Sequence, residues 1–330
     1  YKGYAAGMVE SEVPDPNFAN VVASESPEDF DITFNKTTNT LSANMTVRDI
    51  QDSDDDYGTG DSATSAYQFK FGDNGASAAT RSAYIDNLHY GAIESTGTSA
   101  TTVFGNDENP LETSASTGYL ISADQLNLTK FFPETFGNPE DGLCNDCDFL
   151  QWGAWGSRVE FINNSSQYVD NIHLGFWVAG DVTDVDALYA LGGYATYEGH
   201  AIGNVASSID SDRWKTYIAT GDLDINWSFA QRSGELTISK FDKKNFEGGL
   251  TFEGPISEPN PYAFASGTHF QGNITGNLPQ DLGALEGSAA GSFVGSTSNG
   301  TRPPPGVMGN WNVGGDNYKA TGIFGGSKVP

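Results

Sequence analysis

The sequence predicts an all-β protein built from antiparallel strands, with few and short helices. Apolar and polar residues alternate with a period of two over many short segments, which is typical of strands that bury one face. The chain is also rich in residues that favour strands and tight turns, with 20 Phe, 14 Tyr, 6 Trp and 40 Gly among 330 residues. Hydrophobic residues make up 37% of the sequence, which excludes a disordered chain.

The clearest alternation lies in the C-terminal half, at residues 222–229. Its apolar positions are Leu223, Ile225, Trp227 and Phe229. A turn at residues 232–234 precedes a second strand with Leu236 and Ile238 inward, so the two strands predict an antiparallel hairpin. Further strands are predicted at 246–253, 264–275, 289–295, 309–313 and 318–324. Short strands at this spacing are typical of a sandwich or an up-and-down barrel.

The N-terminal half has the same pattern. Strands are predicted at 30–34, 41–47 and 67–71, with a partner strand around Ile85, Leu88 and Tyr90. The stretches 149–156, 159–162 and 173–178 are expected to contribute further strands and to link the two halves. We place a boundary near residue 190. It divides the chain into an N-terminal β-rich domain, residues 1–190, and a C-terminal domain, residues 191–330.

Two short helices are predicted from apparent capping boxes. One begins at Ser122, with Gln125 three residues later, and runs through Phe132. The other begins at Thr183, with Asp186 three residues later, and runs through Leu191.

Two segments of the chain resemble each other. Residues 1–9 (YKGYAAGMV) and 197–205 (YEGHAIGNV) share Tyr, Gly, Ala, Gly and Val in place. Duplication of a β-unit explains the match. The alternative is that both are strands in which Gly lets backbones approach closely.

The net charge restricts the partners. The chain has 16 Lys and Arg against 43 Asp and Glu, a formal charge of −27, which excludes nucleic acid and anionic lipid as favoured partners. No segment approaches the roughly 18 apolar residues of a membrane-spanning helix, so we expect a soluble chain that does not span a membrane.

Clustered carboxylates offer a candidate calcium site at Asp52, Asp54 and Asp56, in a loop that contains Gly58. Oxygen ligands of this kind suit a hard cation such as Ca²⁺. The spacing does not fit a helix–loop–helix calcium site, and a solvated acidic turn is the alternative. A weaker cluster consists of Asp181, Asp184 and Asp186.

The two cysteines, Cys144 and Cys147, are three residues apart. A redox pair would normally begin a helix in a βαβ unit, which is not predicted here. A zinc site would need two further ligands, and the four histidines offer no second pair at ligand spacing. We therefore favour a structural disulfide, which would contribute about 2 kcal/mol for so short a loop.

No motif for catalysis is present. The sequence has no nucleophile elbow, phosphate loop or dinucleotide fingerprint, and no nucleophile motif adjoins a histidine. Trp152 and Trp155 are candidates for a sugar-stacking platform, although alternating aromatics in a β protein usually lie in the core. We expect a protein that is not an enzyme, with no catalytic residue.

Three segments resemble a known family. Residues 197–205, the hairpin around Trp227 and residues 318–325 (YKATGIFG) resemble the C-terminal β-barrel of transferrin-binding-protein-like surface proteins. The cysteine pair followed by LQWGAW at 150–155 resembles the region before that barrel in large proteobacterial proteins that carry a FecR-type domain. The resemblance implies an antiparallel up-and-down barrel of about eight strands in residues 191–330, preceded by a second β-rich domain or half.

The resemblance also implies export to the outer surface of a Gram-negative bacterium, and binding or assembly rather than catalysis. We therefore expect an extracellular or cell-surface protein for ligand binding or adhesion, with a protein or glycan as its partner. One alternative is a structural subunit of a filament or surface layer that binds copies of itself, for example through a donated terminal strand. A carbohydrate-binding or carbohydrate-active protein is the third hypothesis.

Overall fold

A computed structural model describes the chain in two β-sheets joined by a short helical segment. The described residues are 1–13, 19–35, 40–49, 66–72, 101–104, 110–122, 143–144, 147, 149–163, 165–209, 214–252, 269–277, 283–297 and 302–330.

The N-terminal sheet has nine antiparallel strands. They are β1 (Lys2–Val13), β2 (Ala19–Ala23), β3 (Phe30–Asn35), β4 (Thr40–Asp49), β5 (Ala66–Gly72), β6 (Thr101–Phe104), β7 (Pro110–Ser122), β8 (Leu150–Asn163) and β9 (Ser166–Gly180). Their order is β2-β1-β3-β4-β5-β6-β7-β8-β9, and β1 also pairs with β9. The strand pairings therefore lead from β1 through β9 and back to β1.

The C-terminal sheet is a closed barrel of eight antiparallel strands, which confirms the predicted fold class. The strands are β10 (Tyr194–Ser207), β11 (Lys215–Ser228), β12 (Ser233–Phe241), β13 (Lys244–Phe252), β14 (Phe270–Asn277), β15 (Ala284–Val294), β16 (Gly306–Gly315) and β17 (Tyr318–Lys328). Each strand pairs with its neighbours in sequence, and β10 closes the barrel against β17. This is the up-and-down order. The division of the chain at residue 190 stays a prediction.

The predicted hairpin around Trp227 is β11 with β12, and Leu236 and Ile238 are buried in the barrel core as expected. The turn lies earlier than predicted, because Ser233 already belongs to β12. The strand predicted at 289–295 begins earlier too, at Ala284. A Cβ on Gly287 would lie 1.9 Å from the carbonyl oxygen of Asn312, so the backbones of β15 and β16 approach closely here. This part of the strand shows no apolar alternation, which is why the sequence did not predict it.

The helix predicted at 183–191 is α1 (Val185–Tyr189), but its N-cap is Asp184 and not Thr183. The Asp184 carboxylate accepts hydrogen bonds from the backbone N–H of Asp186 and Ala187, at 2.8 and 3.2 Å. Thr183 instead donates its hydroxyl proton to the carbonyl of Gly295 at 2.7 Å. Of the other predicted helix, Ser122 is the last residue of β7, and residues 123–132 lie outside the described residues. The partner strand predicted around Ile85, Leu88 and Tyr90 also lies outside them.

The two similar segments occupy corresponding places. Residues 1–9 lie in or beside β1 and residues 197–205 in β10, and each of these strands pairs with the last strand of its sheet. A Cβ on Gly3 would lie 2.1 Å from the carbonyl oxygen of Val178, and one on Gly199 would lie 2.0 Å from that of Gly325. Close backbone approach accounts for both glycines, and duplication stays a prediction.

Three large hydrophobic clusters and a small fourth one hold the described residues together. One fills the N-terminal sheet and includes Trp155, Trp177 and Phe69. A second fills the barrel. The third lies between the sheets, where side chains from β1 and β9 pack against the outer wall of β10 and β15–β17; it includes Tyr4, Phe176, Ile202, Val294, Met308 and Ile323.

Candidate functional site

The interior of the C-terminal barrel is packed with aromatic side chains. The ring centroids of Phe241 and Trp311 are 4.6 Å apart, and those of Trp227 and Phe293 are 5.2 Å apart. Tyr197 and Tyr318 are fully buried, and burial raises the pKa of both phenols. The described interior is therefore a core, and we expect a ligand to contact the outside of the barrel.

A concavity open to solvent lies at the end of the barrel that α1 covers. The concavity is shallow, and its lining residues are Leu188, Tyr189, Trp227, Phe229, Arg232, Phe252 and Phe293. We call it the barrel-end pocket. Leu188 is buried in the barrel core, so the packing of α1 fixes the position of the neighbouring Tyr189.

Arg232 and Tyr189 contribute polar groups to the barrel-end pocket. The Arg232 guanidinium carbon lies 4.0 Å from the centre of the Tyr189 ring, a cation–π contact. The Tyr189 hydroxyl oxygen is buried and has no hydrogen-bond partner among the described residues. Arg232 has φ of 55°, and its carbonyl accepts a hydrogen bond from Phe252 N–H at 2.9 Å, which ties the turn to β13.

An exposed tyrosine lies at the same end of the barrel. Tyr194, the first residue of β10, is 77% exposed and is paired in register with Ser228, the last residue of β11. At the opposite end Tyr217 is 41% exposed, and its hydroxyl donates to the carboxylate of Asp242 at 3.0 Å.

The sequence identified Trp227 and Phe229 as inward-facing, but it did not identify the pocket. Arg232 was expected only as a turn residue. Phe293 lies far along the chain from Trp227, and only closure of the barrel brings them together. A cation in a turn that follows aromatic residues is the signal that the sequence contained.

The predicted disulfide joins Cys144 and Cys147 in the structure. Its segment lies on the barrel wall, since the Leu143 carbonyl accepts a hydrogen bond from His200 N–H at 2.7 Å. A Cβ on Gly325 would lie 3.1 Å from the Leu143 Cβ, so the glycine makes room for this segment.

The candidate calcium residues Asp52, Asp54 and Asp56 lie outside the described residues, and calcium binding there stays a prediction. Within the described part of the chain, no group of three or more His, Cys, Asp or Glu could hold a metal ion. The weaker cluster of Asp181, Asp184 and Asp186 was therefore wrong as a metal site, because the Asp184 carboxylate caps α1 instead.

The sugar-stacking platform is also contradicted. Trp155 is fully buried in the N-terminal sheet, and its indole N–H donates to the carbonyls of Ala6 and Phe176 at 3.3 and 3.2 Å. Trp152 packs into the cluster between the two sheets. The two rings therefore lie on opposite faces of β8 and form no shared surface.

Comparison with known proteins gives weak likenesses. No family model matches the chain, and no curated protein matches it. Among the described residues, no helix has the length and apolar character needed to cross a bilayer.

The similar solved structures include transferrin-binding protein B. A Trp-176-Ala mutant of this protein from Haemophilus parasuis Hp5 aligns with a TM-score of 0.36 and 10% identity, over 100% of this chain and 77% of that one. The isotype 1 protein from serogroup B Neisseria meningitidis aligns with a TM-score of 0.34 and 9% identity, over 96% of this chain and 66% of that one. Kievitone hydratase from Nectria haematococca aligns with a TM-score of 0.28 and 9% identity, over 99% of this chain and 89% of that one. Likenesses of this strength establish neither shared function nor family, and the relations to the transferrin-binding and FecR-domain proteins stay predictions.

Proposed function

We propose that this chain is a non-catalytic protein of the bacterial cell surface that binds a ligand at the end of its C-terminal barrel. The observation that carries the proposal is the surface at this end of the barrel, where the exposed Arg232 guanidinium lies over the Tyr189 ring and the Tyr194 side chain is 77% exposed. Aromatic and arginine side chains are enriched at the surfaces through which proteins bind other proteins.

The packed interiors support this choice of site. Both sheets enclose continuous clusters of buried side chains, so a ligand of ordinary size would have to displace core residues to enter. The joined sheets present a preformed outer surface, and recognition at such a surface costs little conformational entropy.

The disulfide supports an extracytoplasmic location. Disulfides form and persist in oxidising compartments such as the periplasm and the cell surface, and they are rare in the cytosol. The Cys144–Cys147 bond is consistent with that location, as is the formal charge of −27, which favours solubility. Adhesion and assembly into a filament or layer gain no support from the comparisons and stay predictions.

The test is a binding screen of the immobilised full chain against panels of secreted proteins and glycans, with a panel of hydrolase substrates in parallel. Tyr194→Ala should weaken a ligand found in this way, whereas Tyr217→Ala, at the opposite end of the barrel, should not. A hydrolytic activity that is abolished by one carboxylate substitution would overturn the proposal. So would a ligand that responds to Tyr217→Ala alone.

A further inference from the structure

We propose that the partner at this end of the barrel is a protein, and that it presents the carboxylate of an Asp or Glu side chain to the Arg232 guanidinium. The inference rests on the proposed binding function. It deepens that function by naming the class of partner and the group that Arg232 recognises.

Two tyrosines and one arginine lie close together at the rim of the barrel. Tyr194 is paired in register with Ser228, and Ser228 is paired with Ser233, the residue that follows Arg232. Since neighbouring strands are about 4.8 Å apart, the backbones of Tyr194 and Arg232 are separated by roughly 10 Å. The Arg232 guanidinium carbon lies 4.0 Å from the centre of the Tyr189 ring. We call Tyr189, Tyr194 and Arg232 the barrel-end surface.

The shape and composition of the barrel-end surface favour a protein as the partner. The concavity there is shallow, and the Trp227 and Phe293 side chains beneath it are buried in the barrel core. A small molecule would therefore bury little of its own surface, whereas a protein can contact a broad outer area. Tyrosine and arginine are also over-represented among the residues that dominate the free energy of binding between proteins.

The guanidinium of Arg232 is the group that selects a carboxylate. Its contact within the described part of the chain is with the face of the Tyr189 ring, and it pairs with no carboxylate there. A guanidinium that packs through its face keeps the N–H donors at its edge available. Two parallel N–H donors match the two oxygens of a carboxylate, which gives a stronger and more directional contact than a single charge would.

Arg232 is held in place before any partner arrives. Its φ of 55° is uncommon for a residue other than glycine, and its carbonyl accepts a hydrogen bond from Phe252 N–H at 2.9 Å. The backbone is therefore tied to β13, while the guanidinium packs on Tyr189. A side chain that is already positioned loses little conformational entropy when it binds.

The net charge of the chain does not oppose a local contact of this kind. The repulsion of an acidic partner by the formal charge of −27 is screened beyond about 8 Å at physiological ionic strength, whereas the ion pair is a direct contact. Asp186 of α1 and Glu235 of β12 are exposed. They would repel a carboxylate placed away from Arg232, so the position of the partner's acidic residue is specific.

A phage-displayed library of random peptides is the probe for this chemistry. Clones are selected on the immobilised full chain, and those that also bind Arg232→Gln are discarded. This variant keeps a residue other than glycine at the positive φ, and its thermal unfolding midpoint shows whether it is folded. We expect the remaining clones to be enriched in Asp and Glu over the unselected library. They should bind Lys215→Gln, a matched loss of charge at an exposed site at the other end of the barrel, as they bind the natural chain.

A double-mutant cycle then tests the contact itself. One selected peptide is compared with a counterpart in which its acidic residue is replaced by the corresponding amide. On the natural chain the amide peptide should bind about tenfold more weakly, and on Arg232→Gln the two peptides should bind equally, because either change removes the same ion pair. Arg232→Lys keeps the charge but not the planar pair of donors, and it should give an intermediate loss.

The outcomes separate this inference from the proposed function. Selected clones enriched in Lys and Arg, independent effects of the two changes in the cycle, or no clone that distinguishes Arg232→Gln from the natural chain would each overturn the inference. If the clones ignore Arg232→Gln but are lost on Tyr194→Ala, the proposed function stands and only the role of Arg232 is wrong. Clones that ignore both variants would count against both.

Discussion

Tyr4 of β1 and Ser292 of β15 share a hydrogen bond of 2.8 Å between their hydroxyl oxygens, although 288 residues separate them in the chain. Both side chains are fully buried, and the bond crosses from the N-terminal sheet to the outer wall of the barrel. Beside it, the Asn310 side-chain amide donates to the carbonyl of Ser24 at 2.6 Å. Directional bonds inside an apolar interface fix how two sheets dock, because sliding would leave each group unpaired.

Removing one partner of the buried pair should destabilise the protein. Tyr4→Phe leaves the Ser292 hydroxyl buried without its partner, and we expect a loss of about 1–3 kcal/mol in the free energy of unfolding. Urea denaturation followed by tryptophan fluorescence measures it.

Two controls separate the hydrogen bond from general effects at this pair. Tyr4→Phe combined with Ser292→Ala should recover part of the loss, because neither group is then left unpaired. Tyr217→Phe removes an exposed hydroxyl and should cost less than about 0.5 kcal/mol. A Tyr4→Phe variant as stable as the natural chain would show that the pair does not contribute to docking.

Adjacent glycines in β13 should respond in opposite ways to the same substitution. A Cβ on Gly248 would lie 2.0 Å from the carbonyl oxygen of Asn273 in β14, whereas one on Gly249 would meet nothing within 4 Å. Gly248→Ala should therefore cost about 1–3 kcal/mol, since the neighbouring strand must shift. Gly249→Ala should be neutral or should stabilise by up to about 1 kcal/mol through the unfolded state.

Thermal unfolding of the two glycine variants side by side checks this contrast. Because both variants carry the same Gly→Ala substitution at adjacent positions, a difference between their midpoints reports the space around each glycine. Equal midpoints would contradict the close strand pairing at Gly248.

Alternation in the sequence was sufficient to predict the inward residues of the β11–β12 hairpin, but not the docking of the two sheets. At Phe293–Val294 and at Val307–Met308, neighbouring residues are both buried, one in the barrel and the other between the sheets. A strand that is buried on both faces shows no alternation, so the sequence does not reveal which face is which. The barrel-end pocket escaped prediction because strand closure and α1 assemble it from residues far apart in sequence.

The disulfide should contribute modestly to stability. Cys144→Ala combined with Cys147→Ala should lower the free energy of unfolding by about 2 kcal/mol, as expected for closing so short a loop. Reduction of the natural chain should give the same midpoint as the double variant, which is the control for the loss of the sulfur atoms. A loss of more than about 4 kcal/mol would mean that the packing of Leu143 on the barrel depends on the bond.

Alkaline pH should unfold the protein through its buried tyrosines. Burial raises the pKa of Tyr4, Tyr197 and Tyr318, for each of which desolvation of the phenolate is the largest cause. The folded state therefore holds these phenols neutral, while the unfolded chain releases their protons above a pKa of about 10. Below that pH these phenols contribute no pH dependence to the free energy of unfolding. Above it, each buried phenol lowers the free energy of unfolding by about 1.4 kcal/mol per pH unit, because only the unfolded chain loses the proton. Denaturation at a series of pH values, together with phenolate absorbance, should show ionisation and unfolding at the same pH. Tyr197→Phe should reduce the slope by one proton, and a slope unchanged by that substitution would mean that Tyr197 ionises in the folded protein.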